Sequence, residues 1–281
     1  MSEHSSNSHP RVAIQGYEGS FHQIAAQNYL GRNIAIVPCA TFREVARQVE
    51  SGESDYGLMA IENSIAGSIL PNYSILQNHN LQVTGETYLR IRQNLMALPG
   101  TRLEDIREVH SHPMALLQCI DFLDAHRWKL VETEDTALSA RHVAEQRLEG
   151  TAAIAGTLAA ELFGLEVIAP DINTIKYNYT RFLVLEQTNR PIPGDATKAS
   201  LYFKTNHEHG SLMHVLKELE DSTINLTKLQ SYPIPSEPWH YLFHVDMEFA
   251  CLDDYNRTVE NMKRASEELH VYGVYKKGIN I

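Results

Sequence analysis

The chain has 281 residues, 43% of them apolar, an ordinary globular composition with room for a sizeable core in one or two domains, or in three lobes. No apolar run approaches the length of a membrane span, so no membrane contact is expected, and a formal charge of −11 leaves no basic excess for a general nucleic-acid surface. Cys39, Cys119 and Cys251 are too few and too scattered for a disulfide framework or zinc knuckle, and no HExxH or CxxC appears, so neither metal nor cofactor is expected and a reducing cytoplasm is.

The polar stretch MSEHSSNSHP (1–10) carries no apolar h-region and reads as a disordered leader rather than a secretory signal. RVAIQG (11–16) then reads as a strand, GSFHQIAAQNYLG (19–31) as a helix closed by Gly31, and NIAIVPCA (33–40) as a second strand. In TFREVARQVESG (41–52), Thr41 and Glu44 make a capping box and Phe42, Val45, Ala46 and Val49 share one helical face. YGLMAIEN (56–63) is a third strand, followed by a helix near 68–79. This alternation predicts a parallel sheet with crossover helices.

The extended piece 81–98 is suited to carry the chain into another lobe. There EVHSH (108–112) is a strand and PMALLQCIDFLDAH (113–126) a helix with Pro113 at its tolerant first position. KLVETE (129–134) and GTAAIAG (150–156) are strands, and DTALSARHVAEQR (135–147), capped by Asp135, is a helix, as is TLAAELFG (157–164), ended by Gly164. LEVIAPDI and TRFLVLEQ are two more strands, the second returning to the first lobe. The boundaries are a catalytic region of 11–187 with its second lobe at about 92–170, a Pro/Gly-containing linker at 188–198, and a tail of 199–278. The tail reads strand, helix, two strands joined by the turn PSEPW, a helix capped by Asp253 or Asp254, and a last strand, which is the βαββαβ ferredoxin-like order.

Ligands of open α/β sheets sit beyond the carboxyl ends of strands. Three such ends are unusually polar. GYEGSF (16–21) lacks the spacing of a dinucleotide or phosphate loop; it is either a tight turn or a set of unused backbone N–H donors beside the hydroxyl of Ser20. IENSIAGSI (61–69) crowds Glu62, Asn63, Ser64 and Ser68 into one turn, more polar residues than a helix cap needs. In HSHPMALLQC (110–119), Ser111 or His112 caps the helix and Gln118 follows two turns in. KYNYTRFLVLEQ (176–187) opens a buried strand with Thr180, Arg181 and Phe182. These side chains are mostly neutral hydroxyls and amides, suited to placing a small polyanion whose reaction needs one proton.

In order along the chain, GYEGSFHQIAA, IENSIAGSI, SHPMALLQC, VETEDTA and NYTRFLVL resemble the sequence blocks of prephenate dehydratases, and the tail resembles the ACT regulatory domain attached to them. The resemblance implies an α/β fold with a two-lobed periplasmic-binding-protein-like catalytic region plus an ACT domain. It implies dehydration and decarboxylation of prephenate in L-phenylalanine biosynthesis by a homodimer or homotetramer, with L-phenylalanine inhibiting at ACT–ACT contacts. The family's essential threonine falls on Thr180, with Asn63, Ser111 and Gln118 as catalytic partners. Glu62, Ser64, Ser20, His112, Arg181, Phe182 and Glu134 are expected around the substrate, Arg181 either pairing with a carboxylate or bracing the strand of Thr180. Gly210, Ser211, Leu212, Met213, Asn225, Leu226, Gln230 and Ser231 are expected around the effector. The family's regulatory motifs GALV and ESRP stand here as GSLM (210–213) and QSYP (230–233), while Trp239 and Tyr241 are retained. Arogenate dehydratase is the neighbouring alternative, and a non-catalytic small-anion sensor on the same scaffold is the alternative of another class.

Overall fold

The computed structural model describes residues 9–220, 222–234 and 237–279. Most of the expected leader and part of the PSEPW turn lie outside them. The first lobe opens with β1 (Arg11–Gln15), α1 (Phe21–Leu30), β2 (Ala35–Cys39), α2 (Phe42–Glu50) and β3 (Tyr56–Asn63). A short β4 (Gly67–Ser68), α3 (Leu70–Asn78) and β5 (Leu81–Arg90) follow. Ser20 caps α1 by accepting from the N–H of Gln23, and Gly31 ends it at φ 86°. Thr41 caps α2, but Glu44 accepts from Ala40 N–H at 2.9 Å rather than from Thr41, so the capping box reaches back one residue further than expected.

The second lobe comprises β6 (Asn94–Ala97), β7 (Glu108–Ser111), α4 (Pro113–Gln118), α5 (Ile120–Asp124), β8 (Lys129–Glu132), α6 (Thr136–Glu145), β9 (Thr151–Ala155), α7 (Thr157–Phe163) and β10 (Glu166–Ala169). The helix expected over 113–126 is two helices broken at Cys119. From here β11 (Tyr179–Gln187) returns to the first lobe and inserts between β3 and β5, antiparallel to both. The first sheet is therefore mixed, in the order β2-β1-β3-β11-β5, not the parallel sheet that βαβ alternation suggests. The second sheet, β10-β6-β9-β7-β8, is mixed as well.

The tail forms β12 (Lys198–Lys204), α8 (Ser211–Lys217), β13 (Asn225–Pro233), β14 (Tyr241–Glu248), α9 (Leu252–Ala265) and β15 (Glu268–Tyr275). Its antiparallel sheet has the order β13-β14-β12-β15, as a ferredoxin-like βαββαβ unit requires. Cys251, not Asp253 or Asp254, sits at the N-cap of α9; the two aspartates lie in its first turn, where they favour the helix dipole. One face of this sheet packs under α8 and α9 through Leu201, Phe203, Val245 and Met262. The other packs on the first lobe, where Tyr202, Leu242, Tyr272 and Tyr275 join Tyr73, Leu81 and Val83 in one buried cluster. Gly273 makes this approach possible: a Cβ there would lie 1.8 Å from the carbonyl oxygen of Val83.

Candidate active site

The chain crosses between the lobes twice, near 91–93 and 170–178, and the cleft they leave holds a cavity of about 280 Å³. Six polar stretches of the chain meet there. The first lobe supplies Ser20, Asn63, Thr180 and Phe182; the second supplies His112, Gln118, Glu134 and Asp135; the crossing supplies Gln93. Seven of the expected site residues thus line one hollow: Ser20, Asn63, His112, Gln118, Glu134, Thr180 and Phe182.

Asn63 and Thr180 stand directly opposite each other on β3 and β11. Oδ1 of Asn63 accepts from the backbone N–H groups of Ile65 and Ala66, both at 2.9 Å. That fixes the amide's orientation, and Nδ2 donates to Oγ1 of Thr180 at 3.0 Å and to Oδ1 of Asn178 at 2.7 Å. Thr180 already accepts, so its own proton is left to donate into the cavity. The ladder beside this pair is irregular: Arg181 faces Glu62 but Phe182 faces Ala60, making Ile61 an extra residue on β3. The bulge lets both Ala60 and Asn63 reach the cavity.

Other expected residues lie elsewhere. Ser111 is fully buried, and its hydroxyl donates to the carbonyl of Ile154 at 2.7 Å rather than to the cavity. Ser64 staples the turn to β11, accepting from Tyr179 N–H at 2.9 Å and donating to Tyr177 O at 3.3 Å. Glu62 and Arg181 point to the opposite sheet face, because successive strand residues alternate. Arg181 donates to Glu86 at 2.6 Å, to Asp246 and to the hydroxyl of Tyr275 at 3.2 Å; Glu62 pairs with Lys228 at 2.8 Å. Neither is a substrate ligand in this geometry. Three amides of the GYEGSF turn are spent within the fold: Gly16 donates to Cys39 O, Gly19 to Gln23 Oε1 and Ser20 to Tyr17 O. The tight-turn reading holds there.

Sequence reasoning passed over His22, Gln93, Asp135, Asn178 and Tyr17. Burial lowers the His22 imidazole to about 4, so it is neutral near pH 7, and among the described residues its Nε2 has no partner. Burial raises the Asp135 carboxyl above its ordinary range, outweighing the N–H groups of α6 that it caps. Tyr17 donates to Glu134 at 2.5 Å, a bond from one lobe to the other, and this bond raises the Tyr17 pKa. Asn178 could have been found, since it lies two residues before Thr180, just ahead of β11. No lysine or arginine lines the cavity among the described residues.

In the tail, Ser211 and Leu212 line a second cavity of about 300 Å³ with His207, His240 and Phe243. Gly210, Met213, Asn225, Leu226, Gln230 and Ser231 do not line it. Asn225 pairs with Glu248 and Ser231 with Phe243, so the two ends of this set stand about 20 Å apart along β13.

The model of the family "Prephenate dehydratase" matches residues 12–190. An arogenate dehydratase/prephenate dehydratase of Arabidopsis thaliana is 36% identical over 286 aligned residues, covering 96% of this chain and 74% of that protein. Among solved structures, GqqA, described as a quorum-quenching acylase, is 28% identical with a TM-score of 0.87, covering 95% of this chain and 98% of that one. The prephenate dehydratase of Arthrobacter aurescens in complex with L-Phe is 27% identical with a TM-score of 0.85, covering 95% and 89%. With the family's blocks converging from both lobes on one cleft, and the family model spanning that whole cleft, this chain is a member of the prephenate dehydratase family of lyases.

Proposed function

We propose that the chain converts prephenate to phenylpyruvate, carbon dioxide and water in phenylalanine biosynthesis, with Thr180, Asn63 and Gln118 carrying the site. The single observation behind this reading is the Asn63–Thr180 pair, in which a pinned amide leaves one threonine proton directed into the cleft. In the reaction the ring carboxylate leaves as carbon dioxide, and its bonding pair enters the ring. The C–O bond to the ring hydroxyl breaks, and that oxygen takes up one proton to leave as water. The new aromatic ring makes the step strongly downhill, so the barrier lies in expelling a poor leaving group.

A threonine hydroxyl is a weak acid. Its role is therefore a hydrogen bond to the departing oxygen, strengthened because backbone N–H groups polarise Asn63 and Asn63 polarises Thr180. Gln118, Gln93, His112 and Ser20 orient the two carboxylates without a cationic side chain. The Tyr17–Glu134 bond holds the lobes together over the substrate.

The C-terminal unit is read as an ACT domain that binds L-phenylalanine as inhibitor, supported by its βαββαβ order and by the L-Phe complex of the Arthrobacter protein. The spread of the expected effector residues along β13 favours a site completed by a second copy, as in a homodimer or homotetramer. Arogenate is the second substrate reading, carried by the name of the Arabidopsis relative. Incubation with prephenate and, separately, with arogenate, with and without L-phenylalanine, tests all of this. Phenylpyruvate from prephenate supports the reading, phenylalanine from arogenate alone replaces it by the second, and neither product refutes it. Undiminished turnover in saturating L-phenylalanine removes the regulatory part.

A further inference from the structure

Directly behind the Asn63–Thr180 pair stands a second pair, Glu62 opposite Arg181, on the reverse face of the same two strands. The C-terminal sheet presents a matching pair, Lys228 opposite Asp246 on β13 and β14. The four charges interlock across the seam. Arg181 donates to Asp246, and Lys228 lies 2.8 Å from Glu62 and donates to Ser68, which pairs with Glu62 on β4, at 2.9 Å. Asp246 is also held by Ser200, and Arg181 by Glu86, which in turn binds Lys198 at 3.0 Å.

The placement of these charges calls for a reason. The seam already carries the aromatic and aliphatic cluster of Tyr73, Val83, Tyr202, Leu242 and Tyr272. Apolar residues would dock the domain as well as buried ions do, because desolvating charges offsets most of their attraction. What ions add is a fixed lateral position. That is wanted here, since the Ile61 bulge one step from Thr180 bends β3 and interrupts the β3–β11 ladder beside the Asn63–Thr180 pair.

We propose that Lys228 and Asp246 are positioning residues for the reaction: by gripping Glu62 and Arg181 they set the spacing and register of Asn63 and Thr180. This rests on the function proposed above. It makes the C-terminal domain part of the active site's support, and any ligand that shifts β13 against β14 moves the Thr180 hydroxyl through two side chains.

The test uses the full chain as wild type, Lys228→Met, Lys228→Glu, and Lys228→Glu combined with Glu62→Lys, assayed on prephenate with thermal melts recorded for each. Amide exchange of segments 60–66 and 178–182 is followed in parallel. Lys228→Glu sets two carboxylates against each other and is expected to lower kcat about tenfold or more, with KM within about threefold of wild type. The charge-swapped double variant restores opposite charges across the seam but sets each new charge beside a like one on its own sheet, Arg181 or Asp246, so it is expected to raise kcat at least about threefold over Lys228→Glu without reaching wild type. Wild-type kcat in folded Lys228→Glu, a loss the swap does not lessen at all, or a change confined to KM overturns the proposal. If Lys228→Glu does not fold, Lys228→Met decides, since it removes the charge without adding repulsion. A wild-type chain inert on prephenate overturns the functional reading instead. Positioning is then judged by amide exchange: faster exchange of both segments in Lys228→Met supports it, and unchanged exchange overturns it.

Discussion

Asn63 donates to Thr180 at 3.0 Å from an amide whose oxygen is already committed to two backbone N–H groups, so the threonine can only accept from it. Thr180→Val keeps the shape and removes the hydroxyl. It is expected to lower kcat by about 10²–10⁴-fold with little change in melting temperature, while Thr180→Ser retains most of the activity. Near-normal turnover of Thr180→Val, followed by phenylpyruvate absorbance, would remove Thr180 from the mechanism.

Asn63→Asp tests the direction of the same bond. A carboxylate cannot donate, so Thr180 turns its proton toward the new side chain and away from the cleft, and turnover falls about as far as in Thr180→Val. Asn63→Ala additionally strands the amides of Ile65 and Ala66, and is expected to cost about 1–3 kcal/mol in urea unfolding.

Tyr17→Phe breaks the bond between the lobes at Glu134. The pair lies near the surface, so the folded state is expected to lose less than about 0.5 kcal/mol. Substrate capture suffers instead, with KM rising severalfold, because closure is less well held. An unchanged KM would mean that the lobes are kept closed by other contacts.

His244 lies in the seam beneath the C-terminal sheet, and burial lowers its pKa to about 4. The unfolded chain binds this proton near pH 6.5 and the folded chain only near 4, so stability is intact above about 6.5 and falls between 6.5 and 4. The full effect is on the order of 3 kcal/mol. Among the described residues its Nε2 has no partner, but its Nδ1 meets the buried Tyr272 hydroxyl at 3.2 Å, so His244→Phe is expected to lower the urea midpoint at every pH and to flatten its pH dependence in that window relative to wild type. Parallel curves for the two proteins would refute the assignment.

Gly273→Ala places a methyl against the carbonyl of Val83, where backbone on both sides must move. A loss of about 1–3 kcal/mol or more is expected from a thermal melt, with loosened docking of the C-terminal sheet. An unaltered melting temperature would show that the seam tolerates a shift there.

Element order, the return of TRFLVLEQ to the first lobe and the ferredoxin-like tail were legible because each rests on local grammar: caps, glycine stops and period-two apolar runs. The cleft was legible through its turns, since 16–21 and 61–69 end parallel neighbouring strands of one sheet and 110–119 ends a strand of the other lobe. The antiparallel insertion of β11 was not, because pairing direction is set by tertiary contacts and leaves no mark on a strand's own residues. Arg181 shows the other limit. Its place beside Thr180 suggested a substrate ligand, but alternation turns it to the far face, and its partners Glu86 and Asp246 are distant in sequence. Ser111 similarly looked reactive in a polar turn, yet its hydroxyl serves a neighbouring strand.

The insertion of β11 between β3 and β5 also imposes an order on biosynthesis. Until β11 has left the ribosome, β5 has no neighbour in its sheet, whereas the second lobe is continuous in sequence and ends with β10 at Ala169, ahead of β11. The nascent chain must keep a half-built, apolar sheet waiting while another lobe matures, so chaperones would be expected to bind the stretch before residue 91 rather than the stretch after it.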